Sequence, residues 1–276
     1  MFVIFGASTD IGRRLGARLR AANHAVRLIS RSSPGCVAAD LATGAGMDAA
    51  LDGAKVVISC AHARFTGSLI DALPSEGQRL ILMGSAWRYS HVPNPRADQV
   101  RTAEGLFLAS GHNGAMLHST MIYGGRQENN IQRLIRLLRR VPVIPTPGGG
   151  RHQIQPIYID DVVSCLYSAA LRDWQGANVV PIAGPRLTWR EMVEHCVSAV
   201  GRRRMVFPVP AAPIIVALEC LRRIGVTPID PDVIRRFSEN VDVPIGKMVE
   251  QFGLSPCDFA SGIKLAVAEW CRLGVI

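Results

Sequence analysis

Lysine is almost missing from this sequence of 276 residues. Its 31 basic residues include lysine only at positions 55, 247 and 264, and the formal net charge is +9. Arginine therefore carries the positive charge, and because its planar guanidinium binds phosphate in a bidentate way, we expect a small phosphorylated ligand. An arginine-rich codon usage would explain the composition equally well. Nucleic acid is not expected as a partner, because the arginines are dispersed and aromatic residues make up only 6% of the chain.

Paired cysteines, long apolar runs and metal-ligand spacings are also missing. The seven cysteines form an odd number with no Cys-x-x-Cys pair, which predicts reduced core thiols in a cytoplasmic protein. No apolar run reaches the ~18 residues of a membrane span. Because the chain begins directly in its first predicted strand, we expect no signal peptide. No metal site is expected, and no Gly-x-Ser-x-Gly elbow indicates a hydrolase.

The opening stretch is the most informative part of the sequence. Phe2 to Phe5 is an apolar run of strand length, and the helix predicted over Ile11 to Ala21 follows a short glycine-containing turn. A strand, a tight turn and a helix N-terminus together form an anion site, where backbone N–H groups approach a diphosphate. A bare strand–helix turn is the alternative. The candidate cofactor-binding residues of this turn are Gly6, Ser8, Thr9, Asp10, Ile11 and Gly12, with Thr9 in the place of the usual middle glycine.

A second cofactor signal follows the second predicted strand, Ala25 to Ser30. About 20 residues beyond the glycine turn, an acidic residue would bind the ribose 2′-hydroxyl of NAD. The sequence has Arg31 there, between two serines. Because a guanidinium attracts the 2′-phosphate that a carboxylate would repel, we predict NADP as the cofactor in preference to NAD, with an ordinary exposed arginine as the alternative.

Further short apolar runs alternate with segments of helix length. The sequence predicts a doubly wound parallel α/β sheet of the Rossmann type, with ligands at the carboxyl ends of its strands. These strands are predicted over Cys36 to Ala38, Val56 to Ser59, Arg79 to Met83 and Ala115 to His118.

After Tyr123 the pattern changes to that of a smaller, mainly helical substrate domain. We predict residues 1–122 and 152–183 as the nucleotide-binding domain, and residues 123–151 and 184–276 as the substrate domain. Arginines from 133 to 140, 202 to 204 or 235 to 236 would meet phosphate in the crevice between them. The elements predicted here are a helix over Asn129 to Arg140, a loop over Pro142 to Gly150, a strand over Ile154 to Ile159, a helix capped by Asp160 or Asp161 and ending at Leu171, a strand over Val179 to Ala183, and mostly helix from Thr188 onward.

The order of these pieces resembles the extended and atypical short-chain dehydrogenase/reductases, the NAD-dependent epimerase/dehydratase family. The likeness covers essentially the whole chain. The motifs that carry it are GASTDIG at the start, ADL at 39–41, MGSAWRYS at 83–90, STMIYGG at 119–125, QPIYIDDV at 155–162 and FGLSPCDFASGI at 252–263.

The resemblance implies roles for several residues. Asp40 and Leu41 match the family's adenine-contacting pair, and Ala61 matches the residue that lines the diphosphate and ribose. Ser85 matches the catalytic serine that hydrogen-bonds the reacting oxygen of the substrate. A turn role for Asp40 and a strand-end cap at Ser85 are the structural alternatives.

The resemblance breaks at the family's acid/base pair, a tyrosine followed four residues later by lysine. The matching positions here are Ala97 and Arg101, and none of the three lysines has a tyrosine four residues before it. Arg101 would still hold the cofactor ribose, whereas Ala97 transfers no proton. A phenol of pKa near 10 needs a neighbouring cation to act as a base at neutral pH. The candidate substitutes are Tyr89, four residues past Ser85, and Tyr123, which we expect at the rim where the nicotinamide would lie. A packing role is the alternative for Tyr89, and His62, His91 and His118 are further candidates.

Two functions remain open at the level of the sequence. The first is an NADP-dependent oxidoreductase or epimerase that acts on a nucleotide-linked sugar or a related alcohol or ketone, with Ser85 orienting the substrate. The second is a protein that binds the dinucleotide without turnover, as a redox sensor or accessory subunit. Whether the chain forms a homodimer stays open.

Overall fold

A seven-stranded parallel sheet forms the centre of the computed structural model, which describes residues 1–74, 77–91, 93–201, 205–210, 216, 220 and 242–276. The strand order is β11-β6-β5-β4-β1-β2-β3. These strands are β1 (Phe2–Phe5), β2 (Val26–Ser30), β3 (Val37–Ala38), β4 (Val56–Ser59), β5 (Arg79–Ser85), β6 (Gly114–Ser119) and β11 (Ala177–Ile182). The predicted fold class is confirmed, and the predicted bounds of β1 and β4 match the structure.

Helices cover both faces of the sheet, because alternate residues of the central strands point to opposite sides. Ile4 packs on the side of α1 (Asp10–Ala21) and α6 (Ile159–Leu171). Val3 and Phe5 pack on the other side. That side is covered by α2 (Met47–Leu51), α3 (Thr66–Asp71) and α4 (Pro95–Ala109). The strand β4 is buried throughout, as expected for the interior of a parallel sheet.

A second core surrounds Tyr123 and Trp270 and is built mainly from helices. It contains α5 (Asn130–Arg140), α7 (Trp189–Val200) and α9 (Phe259–Arg272). Three two-stranded ribbons accompany these helices: β7 (Ile122–Tyr123) with β10 (Ile157–Tyr158), β9 (Gln153–Ile154) with β12 (Leu187–Thr188), and β8 (Val143–Pro147) with β13 (Met205–Val209). The helix α8 (Gly246–Phe252) packs instead against the main sheet, where Met248 joins the core beside Leu166. The division into two domains at the predicted residue numbers stays a prediction.

Several local predictions for this half were wrong. The stretch 143–147 is the strand β8, not a loop, because it pairs in parallel with β13. The predicted strand over 154–159 is divided between β9 and β10. Tyr158 is the N-cap of α6, so Asp160 and Asp161 lie within its first turn and do not cap it.

The exposure of two cysteines differs from the prediction. Cys220 and Cys271 are exposed, so the expectation of seven core thiols was wrong for these two. In the part of the chain that the structure describes, no helix has both the length and the apolarity that crossing a bilayer demands.

Candidate functional site

The turn between β1 and α1 brings two backbone segments unusually close together. Gly6 has a φ of +75°, and a Cβ added there would lie 2.9 Å from the carbonyl carbon of Cys60. A Cβ added at Gly12 would lie 2.5 Å from the carbonyl oxygen of Gly6. Glycine is therefore required at both positions, since the N-terminus of α1 sits directly against the end of β1. The N-terminus of α1 therefore lies at this turn, the cradle from Gly6 to Gly12, and a helix N-terminus favours the binding of an anion.

Thr9 closes this turn with its side chain. It is the N-cap of α1: its hydroxyl accepts a hydrogen bond from the Gly12 N–H at 3.1 Å and donates one to the Gly6 carbonyl at 2.8 Å. The hydroxyl thus stabilises the turn from within, in the position where the family has its middle glycine. Ser8 is exposed beside it, and Ile11 packs partly against both cores.

Asp10 connects the turn to the second core. Its buried carboxylate accepts the backbone N–H of Gln127 at 2.6 Å and pairs with Arg13 at 2.6 Å. Burial alone would raise the pKa of Asp10, but these donors hold it below its usual value. No local pattern indicates the contact with Gln127, which lies 117 residues away along the chain.

The other predicted cofactor residues follow the strands β2, β3 and β4. Arg31 follows β2 and is exposed, while Leu41 is buried. The Asp40 carboxylate accepts the Ala42 N–H at 2.8 Å, so the turn role is observed and the adenine contact stays a prediction. Ala61 faces Gly6, with its nitrogen 3.0 Å from where a Gly6 Cβ would be, and so forms the opposite wall of the cradle.

Ser85, the predicted catalytic serine, is the last residue of β5. The Ser85 hydroxyl accepts the Trp87 N–H at 3.3 Å, which makes it the N-cap of a 3-10 turn over Ala86–Tyr89. The alternative of a strand-end cap is therefore observed, and the catalytic role stays a prediction. Tyr89 closes the same turn and is half-buried. Burial and the nearby Glu104 carboxylate raise the pKa of the Tyr89 phenol.

The helix that would carry the family's acid/base pair is α4. Ala97 is fully buried on it, with no exposed surface. Arg101 donates hydrogen bonds to the Ser90 carbonyl at 2.6 Å and to Asp98 at 3.0 Å. Its guanidinium therefore holds the segment around Ser90, and the proposed contact with a cofactor ribose stays a prediction.

The expectation that Tyr123 lies at the rim of the crevice was wrong. Tyr123 is fully buried, and its ring centroid lies 4.9 Å from that of Phe259 and 5.5 Å from that of Tyr158. Burial raises the pKa of its phenol. Among the residues that the structure describes, its hydroxyl has no hydrogen-bond partner, and it abuts Gly262.

The candidate histidines lie in two different environments. His118 is fully buried behind Ser85, whereas His91 is exposed. His62 is exposed too, and its Nδ1 accepts the Arg64 N–H at 3.2 Å. Burial of the ring and the adjacent charge of Arg64 lower the pKa of His62. Within the described ranges, no cluster of three or more metal-ligating side chains is found.

Only some of the arginines that were expected to meet phosphate lie within the described residues. Arg133 and Arg136 both pair with Glu128, and Arg136 also donates to the Val275 carbonyl at 3.1 Å. These two side chains therefore stabilise the second core. The predicted arginines at 202–204 and 235–236 lie outside the described residues.

Comparison with solved structures shows what this fold resembles. The UDP-glucose 4-epimerase of Thermotoga maritima superimposes with a TM-score of 0.73 at 16% identity, covering 100% of this chain and 99% of that one. The dTDP-glucose 4,6-dehydratase of Bacillus anthracis, solved with NAD, gives 0.74 at 14% identity, covering 98% and 96%. MoeE5 in complex with UDP-glucose and NAD gives 0.74 at 20% identity, covering 100% and 99%. This chain has the NAD-dependent epimerase/dehydratase fold.

Comparison of sequences adds less about activity. No family model matches the chain. An uncharacterized protein of Mycobacterium tuberculosis is 29% identical over 216 residues, as is one of Mycobacterium bovis. The match covers 72% of this chain and 23% of each relative, so the chain spans about a quarter of the length of these curated proteins.

Within the epimerase/dehydratase fold, the carboxyl edge of the sheet brings together the Gly6 turn, Ala61 and Ser85, which follow the neighbouring strands β1, β4 and β5. Sequence reasoning missed one residue at this edge, Glu104. It contacts both His118 and Arg88 behind the Ser85 turn. The only local signal is its position on α4, three residues after Arg101 on the same side of the helix.

Proposed function

We propose that this chain binds a nicotinamide dinucleotide across the carboxyl edge of its sheet and acts as an oxidoreductase or epimerase. Its substrate would be a nucleotide-linked sugar or a related alcohol or ketone. The observation that carries the proposal is the cradle at Gly6 and Gly12, where an added Cβ would meet backbone atoms at 2.9 Å and 2.5 Å. A turn this tight serves the close approach of a diphosphate. The solved proteins with this fold that were crystallised with NAD are consistent with it.

The residues present fit such a cofactor along its length. The backbone from Gly6 to Gly12 and the N-terminus of α1 would hold the diphosphate, with Ala61 as the facing wall. Leu41 and Asp40 would contact the adenine, and Arg31 would pair with a 2′-phosphate, which favours NADP over NAD. When bound, the nicotinamide supplies hydride transfer.

The chain's own residues would orient the substrate and supply a proton. The Ser85 hydroxyl would donate to the reacting oxygen, and Tyr89 is the remaining phenol on the same turn. Because the pKa of Tyr89 is raised, it holds its proton at neutral pH. It therefore suits protonation of a carbonyl oxygen during reduction better than deprotonation of an alcohol.

A second candidate function is dinucleotide binding without turnover, as in a redox sensor or accessory subunit. The complete burial of Ala97 favours it, because no side chain there reaches the crevice. The engagement of Arg101 with Ser90 and Asp98 favours it as well, since the cation that would activate a phenol is already paired.

Two measurements separate these functions. Calorimetry with NADP and NAD tests binding, and an NADPH-consumption assay over nucleotide sugars and ketones tests turnover. We expect NADP to bind more tightly than NAD, and Arg31→Asp to weaken NADP by at least about tenfold while sparing NAD. Binding of NADP without turnover selects the second function, and the absence of binding to either dinucleotide refutes both. Sedimentation analysis would decide between a monomer and a homodimer.

A further inference from the structure

The imidazole of His118 lies directly behind the Ser85 turn. His118 is on β6, opposite Gly84 of β5, and it has no exposed surface. Its Nδ1 accepts the backbone N–H of Ser85 at 3.1 Å. A Cβ added at Gly84 would lie 2.2 Å from that same nitrogen, so glycine at 84 makes room for the ring. The hydrogen-bond acceptor of the Ser85 backbone N–H is therefore a side-chain nitrogen.

The other ring nitrogen is engaged by α4. His118 Nε2 lies 2.7 Å from Glu104 Oε2, and Arg88 donates to both Glu104 oxygens at 2.9 and 3.0 Å. The contacts with His118 and Arg88 hold the pKa of Glu104 below its usual value despite partial burial, so this group is a carboxylate and accepts only. The proton of the neutral imidazole is consequently on Nε2, and Nδ1 is left as the acceptor.

We propose that His118 is the positioning residue for Ser85, held in its Nε2-protonated tautomer by Glu104. The inference rests on the proposed function in one respect, namely that Ser85 faces the ligand. Because both ring nitrogens are occupied and the ring is buried, His118 touches no ligand itself. It acts by fixing the Ser85 backbone, and with it the direction of the hydroxyl.

The His118 ring also contacts Tyr89, whose phenol is the second hydroxyl group of the Ser85 turn. The Tyr89 ring stands edge-on to His118, with centroids 5.9 Å apart and an interplanar angle of 83°. Glu104 lies on the helix that carries Ala97 and Arg101 in place of the usual tyrosine and lysine. In this chain α4 therefore contributes to the Ser85 turn from behind through the Glu104 carboxylate, and the His118 imidazole of β6 lies between Glu104 and Ser85.

Two substitutions separate the two nitrogens of His118. In His118→Asn the amide lies near the position of Nδ1 and can accept the Ser85 N–H, whereas in His118→Gln it lies near Nε2 and reaches only Glu104. The matched control is His112→Gln, because His112 is a buried histidine remote from Ser85 along the sheet. The readouts are the exchange rate of the Ser85 amide by NMR, the affinity for NADPH, and the affinity of the NADPH complex for UDP-glucose as a probe.

We expect the Ser85 amide to exchange slowly in the wild type, His118→Asn and His112→Gln, and at least about tenfold faster in His118→Gln, since a buried donor then lacks its acceptor. UDP-glucose affinity should fall about tenfold in His118→Gln alone, with NADPH affinity unchanged throughout. Equal Ser85 exchange in both His118 variants would overturn the proposal.

The tautomer provides a test that needs no folded variant. Long-range proton–nitrogen correlation on histidine-labelled wild type should show the buried ring protonated at Nε2, and protonation at Nδ1 would overturn the proposal. If the wild type binds no dinucleotide, the proposed function fails. The exchange rates and the tautomer still decide whether His118 holds Ser85.

Discussion

Gly12→Ala is the sharpest test of the cradle, because the clash it introduces involves only backbone atoms. The new Cβ would lie 2.5 Å from the Gly6 carbonyl oxygen and 3.0 Å from the Ala7 Cα. No side-chain rotation can relieve these contacts, so α1 must move away from β1. The N–H groups that would hold the diphosphate move with it.

The magnitude follows from two opposing terms. Overpacking of this kind costs about 1–3 kcal/mol, and the exchange of glycine for alanine in a helix returns up to about 1 kcal/mol. We expect a net loss of about 1–2 kcal/mol in unfolding free energy, which lowers Tm by about 2–8 °C. NADP affinity should fall by at least about tenfold, because diphosphate contacts depend on the placement of α1.

Gly105→Ala is the matched control. Gly105 is an exposed glycine within α4, and a Cβ added there meets nothing within 4 Å. This substitution keeps the helix-propensity gain without the clash, so Tm should rise by about 2–4 °C and NADP affinity should not change. Thermal unfolding and calorimetry on the two variants give opposite signs. Equal Tm values for Gly12→Ala and the wild type, with unchanged NADP affinity, would refute the close approach of α1 to β1.

Three further changes test the packing around the site. Burial raises the pKa of Asp161 above its unfolded value of 3.8, although its carboxylate accepts the Cys257 N–H at 2.9 Å. The native state then binds the Asp161 proton more tightly than the unfolded state does, so the free energy of unfolding falls as the pH rises above about 3.8. Asp161→Asn should therefore stabilise the protein at neutral pH, as measured by urea unfolding. No gain is expected below about pH 3.8. Tyr123→Phe removes a buried hydroxyl that has no hydrogen-bond partner among the described residues. The free energy of unfolding, in the same assay, should stay the same or rise by up to about 1 kcal/mol. A clear fall in that free energy would reveal a hydrogen-bond partner. Ala97→Tyr should lower unfolding free energy by at least about 1–3 kcal/mol and yield no reductase activity, because position 97 is fully buried.

The sequence was sufficient to predict the sheet because its signals there are local. Phe2–Phe5 and Val56–Ser59 are short apolar runs that end at a turn, and the structure has strands with those bounds. The strand Val143–Pro147 was missed because it contains two prolines and forms only by pairing with Met205–Val209, some 60 residues further along the chain. Proline is tolerated there since a two-stranded ribbon leaves one edge of each strand without a ladder.

The candidate site likewise contains features with a local signal and features that depend on contacts between distant segments. The turn from Gly6 to Gly12 was predicted because spacing alone indicates it. Tyr123 was misplaced because a motif gives a residue's position along the chain, whereas its burial depends on Phe259 of α9, which lies far away in sequence. The contact between Asp10 and Gln127 likewise joins distant segments, and no periodicity reports it.

The charges around Tyr89 bear on the direction of any reaction at this crevice. In the family pattern a lysine lowers the tyrosine pKa so that the phenol can accept a proton from an alcohol. Here burial and, after it, the Glu104 carboxylate raise the pKa of Tyr89, and the opposing effect of Arg88 is the smallest of the three. Arg88 is in turn held by Glu104 through both carboxylate oxygens. The phenol therefore stays protonated at neutral pH, which favours donation to a carbonyl oxygen and disfavours alcohol oxidation. An epimerase needs both steps at one site, so these charges favour a reductase, or a dinucleotide-binding protein without turnover, over an epimerase.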